Sequence, residues 1–457
     1  MLVEELEELK QLRLRVYELE DYGFKHWLRM RWIWFKRTPI LRMVWFIAII
    51  IGTILSWIKA IFFIPTHALK YEPKLLEKQA KERAKIDLDF DDNFHEIALK
   101  TVVINSLLKS EMRDFLPIVP FPQMLEKKLR IQQALKTLGT KINSRPPAIF
   151  IIGLPRTGST FLHHICSLDR FGRSIRAWEF RMPFECSDAP QNPLKRIQKT
   201  QHILDVLYKL APAIRSVHYI RSMDADECIQ GFYDCTLLDW YLWGAIDAPE
   251  AFSWYVNADM TAQYDNYERF LRVVLNHPDN RSKETESLCE PFEPKYLWLK
   301  TPHHTYKLLE LAKVFPEAKF VWIHRDPVKC VGSCCSMNQA ILDISCPRFV
   351  DPRILGERTF KRLKQCVDKG LSDRKVLEQQ GRVFVDVKYT DLKANLYETL
   401  KKMYQDLELD VSAIRNPDFL KAATVGSEKG HQYKLEDFGL DSNRIYREFA
   451  SYMSEYL

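Results

Sequence analysis

The stretch AIFIIGLPRTGSTFLHHI, residues 148–165, constrains this chain more than any other. An apolar run of strand length ends on Gly153, a short turn carries Arg156, and a Gly-Ser-Thr run opens a helical pattern. A strand, a glycine turn and a helix N-terminus make an anion site, since backbone amides and the helix dipole both favour negative charge. In the common G-x-x-x-x-G-K-[ST] loop, lysine reaches the terminal phosphates of a nucleotide and the hydroxyl holds Mg²⁺. Here Gly153, Gly158 and Thr160 keep that spacing, but Ser159 stands in the lysine position. The cation has moved into the loop, at Arg156, whose guanidinium suits a planar or tetrahedral oxyanion. Nucleoside triphosphate binding loses its main counter-charge.

Four short apolar runs share a rhythm: 148–152, 296–299, 319–323 and 383–387. Helical patterns lie between them, at 304–314, 327–340 and 390–405. Continuous apolar strands alternating with helices predict an α/β fold, a central parallel sheet covered on both faces. Residues 187–295 read as a helical, aromatic-rich insertion bearing substrate contacts. Residues 72–100 read as a polar helical stretch, and 116–124 as a proline-rich connection.

Residues 43–64, MVWFIAIIIGTILSWIKAIFFI, are interrupted only by Lys59. About twenty such residues cross a hydrocarbon core, and this segment reads as a transmembrane helix. The preceding flank, 25–42, carries six Lys or Arg and no acid. The positive-inside rule then puts the N-terminus in the cytoplasm and the large domain on the far side. The expected organisation is a charged segment over 1–42, the membrane helix, a helical stem over 65–146 and a catalytic domain over 147–457. Asn280-Arg281-Ser282 is an N-glycosylation sequon in a polar stretch that reads as an exposed loop. The net charge of +7 over 457 residues suits an anionic ligand or a membrane surface. No arginine-rich tail, zinc-finger spacing or aromatic RNA-binding signature points to nucleic acid. The ten cysteines form no CxxC pair, and Cys330 with Cys334 is a weak start for a metal site.

A second landmark is FVWIHRDPVKCVGS, residues 320–333, where Arg325 leaves a strand and Ser333 follows eight positions on, two turns inside a helix beginning near Asp326. With the glycine loop, it makes the chain resemble the sulfotransferase superfamily, in the branch whose first loop reads PRTGS or PRTGT. The likeness runs from about 147 to the C-terminus through RAWEF, DADECIQ, WLKTPHH, VKYTDL and HQYKLEDFGLD. It implies a P-loop NTPase-like sulfotransferase fold and 3'-phosphoadenosine 5'-phosphosulfate (PAPS) as co-substrate, with no metal required. By this resemblance Arg156, Thr157, Gly158, Ser159 and Thr160 cradle the 5'-phosphosulfate, and Arg325 and Ser333 hold the 3'-phosphate. Tyr389 meets the adenine, and Lys429, Gly430 and His431 lie near the 3'-phosphate, although SEKGHQY departs from the usual RKG run. Anchored eukaryotic relatives place such a domain in the Golgi lumen.

Sulfuryl transfer leaves the protein mainly positioning and charge stabilisation. Arg156 and Lys300 are placed to stabilise the leaving phosphate. The acceptor, a hydroxyl or amine on a small molecule, lipid or carbohydrate, needs a base. Glu179 in RAWEF is favoured, by analogy with a glutamate in tyrosine-sulfating relatives, over His303 in KTPHH, where Pro302 separates the histidine from the KT pair. An ion pair with Arg173, Arg176 or Arg181 is the structural alternative for Glu179. His304 reads as solvent-facing, one of His163 and His164 as packed on the sheet, and the acids of MDADE as a helix cap, with contact to a basic substrate the alternative for Asp224, Asp226 and Glu227. Two other functions fit parts of the pattern: a nucleotide-dependent phosphotransferase and a non-catalytic, membrane-anchored binding protein. Neither the acceptor nor the oligomeric state is written in the chain.

Overall fold

The computed structural model describes residues 72–98, 121–139, 144–184, 192–210, 219–232, 249–280, 293–345, 350–417 and 433–457, together with Arg215 and Leu420. The apolar segment 43–64 and the triad Lys429, Gly430 and His431 lie outside them. Among the described residues no helix is long and apolar enough to cross a membrane.

Five parallel strands form one sheet: β1 (Ala148–Gly153), β2 (Gly172–Arg173), β3 (Tyr296–Lys300), β4 (Lys319–His324) and β5 (Phe384–Lys388), in the order β2-β3-β1-β4-β5. The four apolar runs became β1, β3, β4 and β5. The two-residue β2 has no apolar run to announce it. Every residue of β1 and β3 is buried, as strands covered on both faces require. Each fully buried Ile or Phe of β1 contributes about 1.5–3 kcal/mol relative to exposure. Because β1 lies between β3 and β4, the chain reverses its direction of travel across the sheet there. Ligands of open α/β sheets bind at such a point, beyond the carboxyl ends of the strands.

The flanking helices follow from their sequences. Asp351 caps the long helix Pro352–Gln379, its carboxylate accepting from the Arg353 amide at 2.9 Å, with Pro352 at the first helical position. Asp351→Ala should lower stability by about 1 kcal/mol, read as a lower urea midpoint at unchanged slope. The insertion holds helices Pro193–Leu210, Pro249–Asn257 and Thr261–Asn276, whose Tyr255, Tyr264, Tyr267 and Phe270 are core residues. The supposed connection at 116–124 is already helical from Phe121, and Pro122 is tolerated in that first turn because its missing N–H has no helical partner. Helices Pro73–Ala84 and Phe121–Leu138 belong to the same compact unit as the sheet. Lys128 Nζ reaches Asp92 at 2.9 Å, and Asn266 Nδ2 donates to Asp92 at 3.1 Å.

Asp169 fixes the edge of the sheet on which β3 lies. Its carboxylate accepts from the amides of Phe171 (2.6 Å) and Gly172 (2.9 Å), the hydroxyls of Tyr296 (2.7 Å) and Tyr404 (2.6 Å), and the Trp298 indole (3.1 Å). Asn280 is a correction to the exposed-loop reading. It is buried, donating to the Val274 carbonyl at 2.9 Å and accepting from Arg196 at 3.0 Å. Its amide is committed inside the fold and unavailable to a glycan.

Candidate functional site

The loop after β1 is built from three residues of positive φ: Gly153 at 126°, Arg156 at 68° and Gly158 at 90°. At Gly153 a Cβ would stand 2.6 Å from the Ile323 carbonyl oxygen on β4, so only glycine lets the strands pair there. Thr305 Oγ1 accepts from the Gly153 amide at 3.1 Å and donates to its carbonyl at 3.2 Å. Arg156 is the unusual member, a non-glycine residue in left-handed backbone. Such strain, about 1–3 kcal/mol, persists where the surroundings fix it and clusters at functional sites. Here the fixing group is Arg325, whose Nη1 donates to the Arg156 carbonyl at 2.6 Å. Thr157 closes the turn by donating to the Leu154 carbonyl at 2.8 Å, and helix Ser159–Cys166 begins directly after Gly158.

Two clusters meet at this loop. In the first, Arg156 Nε donates to Ser333 Oγ at 2.9 Å, Ser333 lying two turns inside helix Pro327–Ser345. The Arg325 guanidinium sits 4.2 Å from the centroid of the Tyr389 ring, and that ring covers Gly158, where a Cβ would approach it to 2.7 Å. Tyr389 opens the helix after β5, so β1, β4 and β5 all deliver side chains to one place. Burial, with Arg325 adding repulsion, lowers the pKa of Arg156 from its ordinary value. Two guanidiniums, a hydroxyl and an aromatic face around a turn of left-handed backbone suit an anionic ligand with a planar ring.

The second cluster hangs from the end of β3. Lys300 is buried, and its Nζ donates to Thr160 Oγ1 at 3.0 Å and pairs with Glu227 at 2.5 Å. Thr301 Oγ1 donates to the other Glu227 oxygen at 3.1 Å and stands 3.0 Å from His303 Nδ1. Burial, partly opposed by Glu227, pushes the His303 pKa down to about 4, so the ring is neutral at pH 7.

Glu179 is placed differently. It is fully buried in helix Ala177–Arg181, one oxygen paired with Arg173 and the other accepting the Arg176 amide at 2.9 Å at the start of the helix. Its partners belong to its own segment, not to the loop. The anticipated ion pair is made, with Arg173.

Several neighbours differ from the sequence reading. His304 is buried, not solvent-facing, and its Nδ1 lies 2.9 Å from the Tyr264 hydroxyl. His163 packs under the sheet with Nε2 3.1 Å from the Trp298 carbonyl oxygen, as one of the pair was expected to do. The acids of MDADE do not act together as a cap. Asp224 turns back on Arg221, Asp226 pairs with Arg181, and Glu227 goes to Lys300. Thr301 is a residue that sequence reasoning missed, and Glu227, weighed as a contact to a basic substrate, instead meets Lys300 and Thr301. One signal was available: a lysine closing a wholly apolar strand must find an anion, and Glu227 precedes the apolar turn CIQGF. Cys330 and Cys334 are buried free thiols, and among the described residues no group of three metal-ligating side chains forms.

This fold and site set two guanidiniums, a hydroxyl and an aromatic ring around a glycine loop that lacks the nucleotide lysine. The chain belongs to the sulfotransferase family, whose family model matches residues 147–413. It is 24% identical over 273 residues to the omega-hydroxy-beta-dihydromenaquinone-9 sulfotransferase Stf3 of Mycobacterium tuberculosis, and equally to that of Mycobacterium bovis. That match spans 58% of this chain and 63% of the relative. Sulfotransferase STF1 of Mycobacterium tuberculosis has the same fold, with TM-score 0.63 and 21% identity, over 83% of this chain and 98% of that one. STF9 of Mycobacterium avium does too, with TM-score 0.65 and 18% identity, over 84% and 96%.

Proposed function

We propose that the protein transfers a sulfuryl group from PAPS to a hydroxyl or amine. The observation that carries this reading is the cluster of Arg156, Arg325, Ser333 and Tyr389 around a loop whose lysine position is Ser159. Arg156 and the backbone of Thr157, Gly158, Ser159 and Thr160 are the groups for the 5'-phosphosulfate. The Thr157 hydroxyl is already committed to Leu154, so Thr157 contributes its amide. Arg325 and Ser333 serve the 3'-phosphate and Tyr389 the adenine; Lys429, Gly430 and His431 are assigned to the 3'-phosphate by the family resemblance alone. PAPS, when bound, supplies the activated sulfuryl group, and its remainder departs as 3',5'-adenosine bisphosphate.

Lys300 meets the charge that grows on the leaving phosphate. The acceptor's proton goes to a base, and His303 suits that task better than Glu179. His303 is neutral at pH 7 and joined to Lys300 through Thr301 and Glu227, whereas Glu179 would first have to leave Arg173. The menaquinone derivative named for the Mycobacterium relative, together with the apolar segment 43–64, supports a lipid-like acceptor met at a membrane. Single-pass anchoring with the domain in the Golgi lumen is part of the same proposal; it rests on the basic flank and the eukaryotic resemblance.

Calorimetry on the detergent-solubilised full chain tests the donor. Micromolar or tighter binding of 3',5'-adenosine bisphosphate, with ATP at least tenfold weaker, is the expected result. Preference for ATP would return the phosphotransferase reading, and binding of neither would favour a scaffold that has lost its donor.

A further inference from the structure

The second cluster holds a chain of hydrogen bonds that fixes the state of the base. Glu227 pairs with Lys300 at 2.5 Å, so its carboxylate accepts hydrogen bonds and donates none. The hydroxyl of Thr301, 3.1 Å from the second oxygen, therefore points its only proton at Glu227. With that proton spent, Thr301 Oγ1 has only lone pairs for His303 Nδ1 at 3.0 Å. Nδ1 must carry the hydrogen, and in a neutral ring the lone pair then sits on Nε2. The order runs Lys300 Nζ, Glu227, Thr301, His303, over residues that come from two separate parts of the chain.

We infer that Glu227 and Thr301 are positioning residues that hold His303 in the tautomer whose Nε2 accepts the acceptor's proton, while the same carboxylate aims Lys300 at the phosphate loop. The inference rests on the function proposed above. His303 Nε2 takes the proton from the acceptor hydroxyl as the acceptor oxygen bonds to sulfur. The bond from sulfur to the 5'-phosphate oxygen breaks, and Lys300 faces the charge left on that oxygen. Glu227 then stands between two cations, Lys300 and the newly charged His303, and through Thr301 it stabilises the second. A carboxylate that orients a histidine and stabilises its charged form does the same work in hydrolase triads, there without an intervening hydroxyl. Among the described residues Glu179, the base favoured by the sequence, bonds to Arg173 and the Arg176 amide and not to this relay.

The tautomer is read first, without substrate, from nitrogen chemical shifts of His303 in histidine-labelled full-length protein, assigned by the signal lost in His303→Gln. Pyrrole-type Nδ1 with pyridine-type Nε2 supports the relay; the reverse overturns it. Kinetics follow with Thr301→Val and Thr301→Ser. The valine variant should keep bisphosphate affinity within about twofold and the KM for PAPS likewise, while kcat falls about 100-fold, a typical share for general base catalysis. Serine, which keeps the hydroxyl, should restore most of it. Unchanged kcat in the valine variant, or a serine variant as poor as valine, would remove Thr301 from the relay. Should wild-type protein fail to bind the bisphosphate, the donor assignment falls, yet the nitrogen shifts still decide the tautomer.

Discussion

Arg325→Ala should weaken 3',5'-adenosine bisphosphate binding by about 100-fold or more while leaving the fold intact. A hydrogen bond to a charged group is worth about 1.5–3 kcal/mol, and a 3'-phosphate would take such a bond from Arg325. The side chain does two further things. Its Nη1 anchors the carbonyl of left-handed Arg156 at 2.6 Å, and its plane lies 4.2 Å from the Tyr389 ring centroid. Removing it therefore loosens the loop and the adenine platform together with the phosphate contact. Arg325→Lys should recover little, because an ammonium neither stacks on a ring nor offers a planar fork of donors. Calorimetry gives the affinity, and a melting temperature within a few degrees of wild type shows that the loss is local. Unchanged affinity would put the 3'-phosphate elsewhere and undo the assignment of Ser333 with it.

The second large effect is on stability in acid. His163, His303 and His304 are buried with pKa values pushed down to about 3, about 4 and about 3, in each case chiefly by burial. His164 and His324 are lowered as well, again with burial first. An unfolded histidine takes up its proton near pH 6.5, and these folded ones do so only far below. Between those values the unfolded chain binds more protons, so stability falls as pH falls. Their contribution is fully present above about pH 6.5 and is lost progressively down to about pH 3. By pH 5 each of the three deeply shifted histidines costs about 2 kcal/mol, enough together to threaten the domain. Melting curves from pH 7.5 to 5 should show a steep decline that begins below pH 6.5. A flat profile would mean that the rings gain water or partners once protonated.

Much of the cluster around the glycine loop was legible because it is local. The strand, the glycines of 153 and 158, the displaced cation at Arg156 and the Arg325 to Ser333 interval all lie within short windows. There residue type and spacing set backbone geometry directly. The Glu227 to Lys300 pair and the burial of Asn280 were not legible for the opposite reason. Glu227 meets Lys300 across 73 positions, and Asn280 meets Arg196 across 84. Asp226, Glu227 and Asn280 sit in stretches that look solvated on their own, since polar residues mostly are, and nothing nearby reveals the distant cation that meets each.

The sequence by itself determined the parallel α/β sheet and the glycine loop at the end of β1, because apolar runs and glycine turns act over a few residues. Tertiary structure decided what each ionisable group does. It tied Glu179 to Arg173 and the Arg176 amide, buried His304 against Tyr264, and passed Glu227 through Thr301 to His303. A carboxylate's role depends on which cation and which hydroxyl the fold brings within 3 Å, and only packing between remote segments sets that distance.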